Sequence, residues 1–176
     1  MTYWKPVSNT SLIIGLSGAA VFWVHALLDA DGFLFFDYVN LPFHEFGHLF
    51  FAPFGETLCI LGGSIMQCAI PLAIMMNFLF SAEPAGFAFS GFWFGENFLN
   101  ISVYVADARK MELPLVGGGE HDWNILLSKW NLLNSDFLIA RILNTFGWVV
   151  MISFAAWFIW TWLDTKDKAN QRENQD

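Results

Sequence analysis

A chain of 176 residues that is 56% hydrophobic and only 14% charged differs from soluble domains, in which about a quarter of the residues are charged. It reads as an all-α polytopic membrane protein, one domain over residues 1–163, with no room for a soluble appendage. The net charge of −8 excludes a nucleic-acid binder, because no basic stripe is present to neutralise phosphates.

The first apolar run, about residues 10–28, is longer than a signal-peptide core, and no small-residue cleavage site follows it. It is expected to be an uncleaved first transmembrane helix. His25 and Asp29 lie one turn apart at its end and read as an interfacial polar pair, or else as support for a site deeper in the protein. An acidic turn, Asp29-Ala30-Asp31-Gly32, closes this segment.

Residues 40–53 follow, and they contain His44-Glu45-Phe46-Gly47-His48. On a helix His44 and His48 are i, i+4 on one face, so both imidazoles can reach a single metal ion. Glu45 is rotated by about 100° from His44, poorly placed as a ligand but well placed to touch a metal-bound water. Pro42 suits the first turn of such a helix, and Pro53 ends it. A helix over 42–52 is about 16 Å long, half a bilayer, which puts the site below the membrane surface but within reach of water. Ionisable side chains in lipid are costly and mark functional sites.

A second span is expected over about 57–80. It opens on Gly62-Gly63-Ser64, small residues that allow close approach, and carries Gln67 and Asn77. The third, about 86–106, holds Glu96, Asn97 and Asn100 mid-segment; these should face the protein interior. Residues 108–135 form a long loop with glycines at 117–119, followed by His121 and Asp122. Asp122 is expected to cap an amphipathic helix running to about Leu133. The last span covers about 137–163 with Trp157, Trp160 and Trp162 as an aromatic belt, and a polar, disordered tail occupies 164–176. The expected architecture is a bundle of about four transmembrane helices plus a half-membrane helix bearing the motif. The basic residues do not set its orientation. Cys59 and Cys68, the only cysteines, form no CxxC and read as core residues.

A catalytic zinc takes three protein ligands and a water. His44 and His48 supply two, and Asp107, His121 and Asp122 are the candidates for the third. Asp107 sits at the end of a span on a rigid element. His121 and Asp122 follow three glycines that allow the loop to fold back over the site. The bland alternatives are a pairing of Asp107 with Arg109 and the helix cap at Asp122.

The metal motif in a membrane helix, the Gly62-Gly63-Ser64-Ile65-Met66-Gln67 opening of the next span, and an Asn-containing span closing on Asp together resemble the site-2 protease family of intramembrane zinc metalloproteases. The resemblance covers about residues 40–108. In place of the usual Asn-Pro-Asp-Gly or Leu-Asp-Gly signature this chain has Val105-Ala106-Asp107-Ala108. The resemblance implies a core of three membrane segments, Zn2+ as cofactor, His44, His48 and Asp107 as metal ligands and Glu45 as the catalytic base. The activity implied is endopeptidase cleavage of membrane-associated protein or peptide substrates. In such a mechanism His121 or Tyr104 could stabilise the oxyanion. The expected location is a cell membrane, the bacterial inner membrane in the first place. The alternative is a non-catalytic membrane interaction or scaffold protein retaining a metal site. A di-iron oxygenase, which needs about eight His, is excluded by the four present.

Overall fold

The computed structural model describes residues 4–28, 34–115 and 120–173. Among them there is no strand, and the α-helices are α1 (Asn9–Leu28), α2 (Asp37–Phe51), α3 (Glu56–Phe80), α4 (Pro84–Ala106), α5 (Asp122–Lys129) and α6 (Asp136–Glu173). Three of these helices, α1, α3 and α6, are long and apolar enough to cross a membrane. α4 has comparable length at 23 residues, but its Glu96, Asn97 and Asn100 hold it below that standard of apolarity. Length and composition therefore define three spans among the described residues.

Local chemistry accounts for the breaks between the helices. α2 stops before Pro53, a 3-10 turn follows over Ala52–Phe54, and Gly55 takes φ +98°, a conformation favourable only to glycine. α4 starts at Pro84, where the missing N–H is no loss. Beyond α4 the chain turns at Met111 with φ +52°, and the Asp107 carboxylate accepts the backbone N–H groups of Glu112 and Leu113, each at 3.0 Å.

α4 is the central element. On one side it meets α6 so closely that a Cβ on Gly147 would lie 2.6 Å from the Gly95 carbonyl oxygen; glycine lets the two backbones touch. On its other side lies α3, and α3 in turn carries α2 through a second glycine contact. A Cβ on Gly47 would meet the Gly62 carbonyl oxygen at 2.1 Å. α5 packs across α3 and α4, where Trp123, Leu126 and Leu127 join Val105 and Ala108 in an apolar cluster. α1 is peripheral, anchored by Phe22 edge-on to Phe92 of α4.

Several boundaries differ from the sequence reading. α2 begins at Asp37, not Pro42, so Pro42 lies inside the helix and withholds one of its i→i−4 bonds. With 15 residues α2 is about 22 Å long, still short of the ~30 Å hydrocarbon core. α5 ends at Lys129 and not near Leu133. Where a disordered tail is expected from Asp164, α6 instead continues as helix through Glu173. His25 is exposed on α1; Asp29 and the glycines at 117–119 lie outside the described residues.

Candidate metal centre

The helical repeat puts Asp37, Asn40, His44 and His48 on one side of α2. The rings of His44 and His48 are 4.8 Å apart between centroids. Each has its Nδ1 engaged by an acceptor. His48 Nδ1 donates to the Cys59 carbonyl at 2.9 Å, and His44 Nδ1 lies 2.7 Å from Gln67 Oε1. Gln67 is oriented in its turn by its own amide, which donates to Asn100 Oδ1 at 2.9 Å. A neutral imidazole that donates through Nδ1 presents a lone pair at Nε2. Both rings are thereby set up as Nε2 ligands, with the outer hydrogen bonds that accompany metal-binding histidines.

Asp122 arrives from a distant part of the sequence and closes the group. Its Oδ2 lies 3.1 Å from His44 Nε2 and 3.3 Å from His48 Nε2. Asp122 is the first residue of α5 and not its cap. That role belongs to His121, whose Nδ1 accepts the Asn124 N–H at 3.2 Å. With His121 meeting the exposed end of the helix, the Asp122 carboxylate is free to face the imidazoles. The backbone of Asp122 is held by its N–H bond to the Tyr104 hydroxyl at 3.1 Å. Burial works against the charged carboxyl, but hydrogen bonds from His44 and His48 outweigh it and hold the Asp122 pKa down at about 2.

The other candidates for the third ligand have different roles. Asp107, the position implied by the family resemblance, lies outside the group: both its oxygens are taken by the turn after α4. His121 Nε2 is 3.4 Å from Asp107 Oδ2, a close approach without hydrogen-bond geometry, and its ring packs tilted against Tyr104 at 4.3 Å between centroids. Burial pushes the His121 pKa below its ordinary value, in keeping with a neutral ring that accepts at Nδ1. Asp107 and His121 therefore build the loop that delivers Asp122. Glu45 is exposed on α2, and its charge acts on His48 and Tyr104, so it stands beside the cluster without belonging to it.

The donor set suits a divalent metal. Two imidazole nitrogens and one carboxylate oxygen lie within 4.8 Å of one another. Tetrahedral bonds of about 2.0–2.1 Å put neighbouring ligand atoms roughly 3.3 Å apart, as found for Asp122 against each histidine. The position between these atoms can be filled by a proton or by a cation. The packing also keeps room for the ligands: a Cβ on Gly63 would lie 2.5 Å from His44 Nε2, so glycine there is what admits the imidazole.

Comparison with protein-family models, with curated proteins and with solved structures gives no match for this chain. Asn100 was legible as an interior polar residue and Gln67 as a polar member of its span, though neither as the support of His44. Asp37 and Asn40 were missed as members of the ligand face, although the spacing 40, 44, 48 carried the signal.

Proposed function

We propose that this chain is a zinc-dependent endopeptidase acting in or at a membrane, on membrane-associated protein or peptide substrates, with the bacterial inner membrane as its setting. The observation that carries the reading is the convergence of two imidazoles, each held through Nδ1, on one carboxylate, with Glu45 beside them. The resemblance to site-2 proteases supports it with one change of ligand, Asp122 in place of Asp107. His44, His48 and Asp122 would hold the ion, and the group offers no fourth protein ligand among the described residues, as in catalytic zinc sites.

Held by His44, His48 and Asp122, a zinc ion would lower the pKa of its water to near 7 and polarise the scissile carbonyl. Glu45 takes the proton from the attacking water and passes it to the leaving amine. Tyr104 holds the Asp122 backbone in register through its hydroxyl, which accepts the Asp122 N–H. A substrate helix in lipid has its carbonyls tied up in internal hydrogen bonds, so it must unwind locally before Glu45 can act on the attacking water.

Glu45→Gln tests the reading. The expected result is one zinc per chain, as in the wild type, with cleavage of a membrane-protein substrate reduced by about 10²–10⁴-fold. A variant that binds zinc and cleaves at the wild-type rate removes the base assignment. A wild type that binds zinc and cleaves nothing leaves a non-catalytic membrane protein with a structural metal site.

A further inference from the structure

One turn before His44 on α2, a second polar group is sealed inside the bundle. Asp37, Asn40 and Glu96 are each fully buried. The Asn40 amide donates to Glu96 Oε2 at 2.8 Å, and its Oδ1 accepts the Trp93 indole N–H at 2.8 Å. Asp37 Oδ2 accepts the Leu34 backbone N–H at 2.5 Å. Glu96 Oε1 is buried with no hydrogen-bond partner among the described residues, and the Asp37 carboxyl is close enough to act on it electrostatically. Two ionised carboxylates are acceptors only, so a bond between them would require a proton. Two bare charges this near each other at this depth would also repel strongly with little solvent to screen them.

We propose that Asp37 and Glu96 share one proton, with Glu96 the donor, and that this pair is the latch holding the first turns of α2 against α4. Asp37 is the better anion, because it sits in the first turn of α2, where the helix dipole favours negative charge. Glu96 lies in the middle of α4, far from either end. The latch explains how α2 is held to α4 although its glycine contact is with α3: the bridges are Asp37–Glu96, Asn40–Glu96 and Trp93–Asn40. Because Asn40 is one turn from His44 on the same face, the latch also sets the rotation at which the imidazoles are presented. From α3 the Cys68 thiol is in electrostatic range of Glu96; α1 and α6 contribute the apolar Phe22 and Met151 to the cluster around Phe92 and Leu99 of α4. No Lys, Arg or His among the described residues pairs with Glu96. The latch belongs to α2 and α4 and stands whether or not an ion binds at His44.

The test uses the full chain in micelles or nanodiscs, stripped of metal. Infrared spectra at neutral pH should contain the carbonyl band of a protonated carboxylic acid, shifted by labelling with ¹³C-glutamate and absent from Glu96→Gln. An amide can donate to Asp37 and still accept from Asn40, so this variant is expected to fold. As pH rises from the ordinary carboxyl range, the wild-type unfolding equilibrium should shift toward the unfolded state by up to about tenfold per pH unit relative to the variant, the slope of one proton held by the folded state alone. An absent band, a band that shifts only with labelled aspartate, or equal pH slopes for the two proteins would each overturn the latch. If the variant does not fold, the wild-type spectra decide alone.

Discussion

The residue that most changes the reading of this site is His121, because it caps α5 and leaves its neighbour Asp122 to complete the metal group. The sequence favours the opposite assignment, since Asp is among the preferred caps and His is not. Two neighbouring substitutions separate the roles. Asp122→Ala should bring bound zinc from one per chain to almost none, by metal analysis of purified protein. Asp107→Asn should keep the zinc while exposing residues 108–115 to protease, since only a turn clamp is lost. Gln67→Leu probes the outer support: His44 loses the acceptor that orients it, and zinc affinity should fall by about 10–100-fold in a competition titration with a chelator.

Among the elements, the α2–α3 crossing decides whether the ligands can meet at all. Gly47 stands inside the metal motif, and it is the residue through which α2 touches Gly62 of α3. Gly47→Ala must push two backbones apart and should cost about 1–3 kcal/mol of stability, read as a lowered unfolding midpoint. Gly63→Ala acts more locally, displacing the His44 ring and weakening zinc binding before it weakens the fold. Gly18→Ala is the control, because nothing lies within 4 Å of the added carbon. Helix ends were partly legible in the sequence: α3 and α4 begin within two residues of their expected starts, and α2 ends at Phe51, just before Pro53. The start of α2 was not. Pro42 has the chemistry of a first-turn residue, yet the helix extends to Asp37, and the buried bonds of Asn40 to Glu96 and Trp93 of α4 hold that added turn in place.

For the molecule as a whole, composition was enough to indicate an all-helical chain with helices long and apolar enough to cross a membrane, and the two-histidine motif was enough to place two candidate metal ligands on α2. Which of the three candidates joins the two imidazoles was beyond reach, because it depends on how the chain turns after α4, where the Glu112 and Leu113 N–H groups bond to the Asp107 carboxylate in a way no local pattern encodes. The assembled site also predicts an acid response. In metal-free protein the Asp122 pKa of about 2 lies below its ordinary 3.8. A depressed carboxyl stabilises the fold above the ordinary value and loses that contribution as pH falls toward the lower one. Stability should therefore drop between about pH 4 and 2 in the wild type and be flatter there in Asp122→Asn, as followed by circular dichroism.

His44 and Asp122 are 78 positions apart, so an ion held between them is a cross-link over nearly half the polypeptide. A nascent chain emerging from the ribosome has both histidines long before it has the aspartate. Until α5 is made and docked on α3 and α4, the incomplete pair has nothing to grip with. Under the proposed reading, cleavage would wait until the bundle has been assembled, and a truncated product would lack it.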